Sequence, residues 1–198
     1  MPAIGITGGI ASGKTTFCDC LRELIPSAKF FNADKAARDL VDLDLQVKEE
    51  LLGEFGPETY FPGGALDRER LRAIIFQDAA KKSALEQILH PRIRQQWSAE
   101  AEKHRHSSEF FFADIPLLYE TGGETWCDRV VVIACSRDIQ LARLLERGRI
   151  DHAAAEQIID SQMPLMEKIK GANHVVWNNG DRSVLAEQTA ALVNLWQA

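Results

Sequence analysis

Gly8-Gly9-Ile10-Ala11-Ser12-Gly13-Lys14-Thr15 matches the pattern G-x-x-x-x-G-K-[ST] at every fixed position. The chemistry of that spacing is anion binding. Glycines let the backbone wrap a phosphate with its N–H groups turned toward it. A helix starting just after the loop adds the positive end of its dipole. Lys14 can reach the outer phosphates of a nucleotide, and the Thr15 hydroxyl can ligate magnesium (Mg2+). The loop therefore predicts a phosphorylated nucleotide, ATP. Two carboxylates have positions that could serve the same chemistry. Asp34 closes Phe30-Phe31-Asn32-Ala33-Asp34, where it would either take a proton from an acceptor hydroxyl or cap a helix starting near Lys35. Asp114 closes Phe110-Phe111-Phe112-Ala113-Asp114, and apolar residues ending in Asp have the form of a Walker B element that helps to hold magnesium. The alternative for Asp114 is a cap or turn residue. Glu120 either points the same way or lies on the surface.

Positioning these groups needs strands that end on one edge. Five short apolar runs predict strands: Ala3 to Thr7, Ala28 to Asn32, Glu109 to Ala113, Arg129 to Ala134 and His174 to Trp177. Phe110-Phe111-Phe112 and Val130-Val131-Val132-Ile133 are continuous rather than alternating, as in strands covered on both faces. Helical patterns fill the gaps at about 16–25, 35–42, 46–55, 67–77, 79–89, 91–104, 139–147, 153–162, 164–170 and 183–196. Asp67 reads as an N-cap, and His90-Pro91 reads as a joint between two helices. Strands alternating with helices predict an α/β fold with a parallel sheet, which binds ligands at the carboxyl ends of its strands.

The alternation is interrupted twice. A helical excursion at about 43–108 is long enough to be a substrate-binding subdomain. A segment at about 143–170 carries Arg143, Arg147, Arg149, Lys168 and Lys170. Those basic residues read either as a lid closing over phosphates or as a solvated helix face. The core is then about 1–42, 109–142 and 171–198. Asn178-Asn179-Gly180-Asp181 follows the last strand with turn chemistry, at an edge where an adenine could lie.

Length and composition set the outer bounds. The chain has 198 residues, enough for one compact domain with an insertion, and 45% hydrophobic residues supply a core. A net charge of −6 argues against a nucleic-acid partner. No apolar run approaches the ~18 residues of a membrane span. The first strand begins close to the N-terminus with no signal peptide ahead of it, which predicts a cytoplasmic location. No obligate protein partner is evident. Cys18, Cys20, Cys127 and Cys135 have neither zinc nor redox spacing and read as reduced packing residues.

Across almost the whole chain, in order, these pieces resemble the dephospho-CoA kinases. The resemblance rests on Ile4 to Ile10 leading into Ser12-Gly13-Lys14-Thr15, and on Asn32-Ala33-Asp34-Lys35. It continues through Leu66-Asp67-Arg68, His90-Pro91-Arg92-Ile93 and Asp114-Ile115-Pro116-Leu117-Leu118-Tyr119-Glu120. Its last elements are Gln140-Leu141-Ala142-Arg143-Leu144, Ser161-Gln162-Met163-Pro164 and Asn178-Asn179-Gly180. The phosphate loop is widely shared; the D-x-P-L-L-x-E and A-D-K elements joined to H-P-x-I are far more specific. The resemblance implies an adenylate-kinase-like P-loop kinase fold: a five-stranded parallel sheet, a helical CoA-binding insertion and a lid. It implies transfer of the ATP γ-phosphoryl group to the 3′-hydroxyl of dephospho-CoA. Asp34 matches the family's base, with Lys14 the second catalytic group. ATP would meet Gly9, Ala11, Ser12, Gly13, Lys14, Thr15 and Thr16, then Arg143, Arg147 and Asn179. Dephospho-CoA would meet Asp34, His90, Arg94, Asp114 and Leu117, and magnesium Thr15 and Asp114. Ala11 stands where the family often has glycine, and Thr15 where it often has serine. Gln157-Ile158-Ile159-Asp160 lacks an arginine the family often carries, which leaves open which lid arginine meets the phosphates. Another small-molecule or nucleoside monophosphate kinase would share loop, sheet and lid. A GTPase-type switch would need N-K-x-D and D-x-x-G, neither of which is present.

Overall fold

The computed structural model describes residues 3–148 and 150–197. Arg149, one of the basic residues of the segment at 143–170, lies outside them. The five strands are β1 (Ala3–Gly8), β2 (Lys29–Asn32), β3 (Phe111–Asp114), β4 (Arg129–Ala134) and β5 (His174–Trp177). They form one parallel sheet in the order β2-β3-β1-β4-β5. In the register, Ile6 lies beside Asp114 on one side and Val131 on the other. Every residue of β1 is buried, which is why its sequence is largely apolar.

The chain divides into two compact units, Met1–Phe31 with Glu100–Ala198, and Asn32–Ala99. In the first, α1 (Lys14–Leu24) and α9 (Arg182–Gln197) lie against one another. Phe17, Leu21, Leu185 and Trp196 join Ile4, Ile6, Phe112, Val131 and Ile133 in a single core. Trp196 stacks obliquely on Phe112, ring centroids 5.8 Å apart. The same unit holds α6 (Arg137–Arg147), α7 (His152–Asp160) and α8 (Leu165–Lys170). Asp151 caps α7 by accepting from Ala154 N at 2.8 Å, and Arg137 pairs with Asp160 at 2.8 Å.

The second unit contains α2 (Ala33–Leu43), α3 (Leu45–Phe55), a 3₁₀ turn at Pro57–Thr59, α4 (Arg68–Gln77) and most of α5 (Ala79–Arg105). Leu40 and Val41 of α2 are buried with Val47, Leu51, Phe55, Tyr60 and Leu71. Asp67 caps α4 through Arg70 N at 3.0 Å, as its sequence position predicts. The joint expected at His90-Pro91 is absent: α5 runs through Pro91 as one helix of 27 residues. A proline inside a helix forfeits one backbone bond and costs about 3 kcal/mol. Leu85, Ile88, Leu89 and Ile93 on both sides of it pack on the unit's core, and burial of such side chains contributes about 1.5–3 kcal/mol each when complete. Arg92 holds the helix at this point, donating to Ile88 O at 2.7 Å and to Glu50 at 2.6 Å.

All four cysteines are free. Burial is the main cause that pushes the Cys18 and Cys127 thiols up to about 12, so both stay protonated and unreactive near neutral pH. Among the described residues no helix is long and apolar enough to cross a membrane.

Candidate active site

The loop after β1 turns on two residues with positive φ, Ala11 at 57° and Gly13 at 92°. Gly13 precedes the first turn of α1 without a side-chain cap, leaving the helix's first N–H groups for an anion. A side chain at position 13 would run into the amide of Asn178. Ala11 takes a conformation that costs an L-residue roughly 1–2 kcal/mol, so something outside the residue must hold it there.

The loop's carbonyls account for that support. Gly8 O accepts from Lys168 Nζ at 3.5 Å, Gly9 O from Ser12 N at 3.1 Å, and Ile10 O from Gln140 Nε2 at 2.8 Å. Ala11 O accepts from Arg143 Nη1 at 3.2 Å. Ser12 O accepts from Arg143 Nη1 at 3.3 Å and from Asn178 Nδ2 at 2.8 Å. Gly13 O accepts from Phe17 N at 3.1 Å. A trans peptide directs its N–H away from its C=O. Carbonyls engaged on the protein side therefore turn the N–H groups that follow them toward the loop's concavity, apart from that of Ser12, which bonds Gly9 O.

Asp114, at the end of β3, is 3% exposed and ion-pairs through Oδ1 with Lys14 Nζ. It is thus a charged partner of the loop lysine rather than a cap or turn residue. Thr15 is exposed in the first turn of α1. Thr16 beside it is half-buried.

Asp34 lies in the first turn of α2, just after β2, and is exposed. The capping alternative falls away because Asn32 caps this helix, its Oδ1 accepting from Lys35 N at 2.7 Å. Among the described residues the Asp34 carboxylate has no hydrogen bond or ion pair, so it is available to a ligand. His90 and Arg94 sit one turn apart on α5, which puts them on one face. Burial lowers the His90 pKa, Glu86 partly opposes it, and Arg94 adds a smaller lowering. Leu117 is half-buried in the turn after β3, its carbonyl accepting from Thr121 Oγ1 at 2.8 Å.

Lys168 belongs neither to a phosphate-facing cluster nor to a solvated face: it is fully buried. Its three protons meet Glu120 at 2.8 Å, Pro116 O at 3.1 Å and Gly8 O at 3.5 Å, which is how a buried ammonium is tolerated. The same contact decides Glu120, whose Oε1 also accepts from Met163 N at 3.0 Å. Lys170 pairs with Glu167 at 2.7 Å on the surface. Arg143 grips the loop's own carbonyls and donates to Asn178 O at 3.0 Å, whereas Arg147 is exposed and has no partner among the described residues. Asn179 Oδ1 accepts from Ser136 N at 2.8 Å, and it is Asn178 that reaches the loop. Sequence reasoning overlooked Asn178, Gln140 and Lys168 as supports. The signal for Gln140 was its spacing, one turn before Arg143 on the same helix face.

Comparisons with known proteins bear on the family and the fold. The family model for dephospho-CoA kinase matches residues 2–183. Dephospho-CoA kinase of Geobacillus kaustophilus is 39% identical over 98% of this chain and 96% of its own. That of Fusobacterium nucleatum subsp. nucleatum is 37% identical over 90% of both chains. Among solved structures, dephospho-CoA kinase from Campylobacter jejuni superposes with a TM-score of 0.74 at 27% identity, covering 97% of this chain and 95% of that one. Shikimate kinase from Acinetobacter baumannii has a TM-score of 0.55 at 13% identity, covering 100% and 93%, which shows a shared fold.

Proposed function

Since this chain belongs to the dephospho-CoA kinase family and carries out the ATP-dependent last step of CoA biosynthesis, we propose a division of that work among its own residues. The loop from Gly9 to Gly13 and the start of α1 hold the ATP phosphates by backbone N–H groups. Lys14 leaves Asp114 in part to neutralise charge growing on the β- and γ-phosphates as the phosphoryl group moves. Asp34 accepts a hydrogen bond from the 3′-hydroxyl of dephospho-CoA and then its proton, while His90, Arg94 and Leu117 contact the acceptor. Thr15 and Asp114 offer a hydroxyl and a carboxylate, a hard oxygen set that suits magnesium, which otherwise keeps water and phosphate oxygens. When bound there the ion would neutralise phosphate charge. Cytoplasmic location is the reading that accompanies this chemistry.

The observation that carries the reading is the loop whose carbonyls are all engaged on the protein side, next to the Lys14–Asp114 pair. A panel of acceptors offered with ATP tests it: dephospho-CoA should be phosphorylated in preference to shikimate and nucleoside monophosphates. Preference for one of those would assign the chain to another small-molecule kinase.

The arrangement also favours one lid arginine. Arg143 is committed to loop carbonyls and Arg147 is not, so Arg147 is the one proposed to meet phosphate within the lid at 143–170. Arg147→Lys keeps the charge and loses the planar fork. Turnover should fall about tenfold, the value of a lost charge-assisted hydrogen bond. Equal turnover with lysine in steady-state assays would make Arg147 a surface charge only.

A further inference from the structure

We propose that Gln140 is a positioning residue that keeps the Ile10–Ala11 peptide in the orientation presenting Ala11 N–H to a bound phosphate. The proposal rests on the reading of residues 8–15 as a phosphate loop. Its starting point is Ala11, a non-glycine residue at φ 57° and only 8% exposed. Rotating the Ile10–Ala11 peptide plane by about half a turn changes ψ of residue 10 and φ of residue 11 and leaves the flanking chain in place. Such a flip would return Ala11 to the negative φ that a Cβ prefers. It would also swing the Ile10 carbonyl into the concavity and the Ala11 N–H out of it, putting a partial negative charge where a phosphate must lie. With glycine at position 11 both orientations would be nearly equal in energy. With alanine the unproductive one is favoured locally.

What opposes the flip is a bond to that one peptide. Gln140 Nε2 donates to Ile10 O at 2.8 Å, and Gln140 is 4% exposed. The amide reaches Ile10 across Gly9, where an added Cβ would lie 2.5 Å from Nε2. Other supports hold the neighbouring units: Ser12 N on Gly9 O, and Arg143 on Ala11 O. Ala11 and Gln140 are therefore coupled. Alanine is tolerated at this positive φ because a buried amide from α6 restrains the peptide before it.

The coupling predicts a result that general support of the fold does not. Gln140→Met keeps the length and removes the donor. In purified full-length protein its ATP affinity, measured by titration calorimetry, should fall roughly five- to tenfold, the worth of one net hydrogen bond. Ala11→Gly supplies the second background, since glycine adopts positive φ freely, and its own ATP affinity is the reference for the double variant. In the Ala11→Gly background, Gln140→Met should cost threefold or less, because glycine no longer drives the flip. If Gln140→Met does not fold, Gln140→Leu in the same two backgrounds carries the test. An equal loss in both backgrounds, or no loss in either, would overturn the proposal. Should the parent protein itself bind no ATP, the phosphate-loop reading fails first and takes this proposal with it.

Discussion

Asp34→Asn is expected to lower turnover by roughly 10²–10⁴-fold, the range for a positioned acid–base group. The substitution keeps size and polarity and removes basicity. Stability should barely move. Asn32, not Asp34, caps α2, and the Asp34 side chain is exposed, so only its interaction with the helix dipole is at stake, worth about 0.3–1 kcal/mol. ATP affinity should stay within about twofold, since the proposed nucleotide contacts are loop N–H groups and Lys14 rather than Asp34. Loose phosphoryl-transfer transition states need little early deprotonation. Part of the loss then reflects orientation of the hydroxyl, and the pH dependence of the residual rate separates the two shares. Steady-state rates alongside nucleotide titrations make the check. Lost ATP binding with normal turnover per bound ATP would make Asp34 a magnesium or structural residue, and Asp114 the next base to examine.

Lys14→Ala should reduce turnover by on the order of a hundredfold or more through lost charge stabilisation on the transferring phosphoryl group. This variant has a second, structural consequence. Asp114 is almost fully buried, and removing the cation beside it takes away one partner of a buried carboxylate, at a cost of up to about 3–5 kcal/mol. Thermal melts should record that loss. Adding Asp114→Asn removes the buried charge itself, so the double variant should regain part of the stability and none of the turnover. Recovery of both together would mean that Lys14 serves the fold alone. Near-parental turnover in Lys14→Ala would contradict the phosphate-loop account outright.

Most of the frame was readable in advance because it depends on local chemistry. Continuous apolar, β-branched runs such as Val130 to Ile133 suit strands covered on both faces, and the glycine spacing of residues 8–13 between a strand and a helix points to an anion loop. Asp67 shows the same, since its cap needs only the three residues after it. What escaped the sequence depends on contacts distant along the chain. Lys168 looks like any basic residue of a mobile segment until Glu120, Pro116 and Gly8 are brought around it. Pro91 looks like a break until the apolar residues flanking it find a common core. Asn178 and Gln140 meet the loop from 166 and 130 residues away. A buried polar residue gives no local sign of which carbonyl it will satisfy. The specific acceptor was legible for a different reason: motifs such as Asp114-Ile115-Pro116-Leu117-Leu118-Tyr119-Glu120 carry a resemblance that periodicity alone would not have supplied.

The assignment as a whole stands on one reaction. Purified protein incubated with ATP, magnesium and dephospho-CoA should convert the acceptor to a product carrying one additional phosphate at the ribose 3′-hydroxyl. The product should co-elute with coenzyme A in mass spectrometry, with stoichiometric ADP. No product above that of the Lys14→Ala variant, or a phosphate placed elsewhere on the acceptor, would contradict the account.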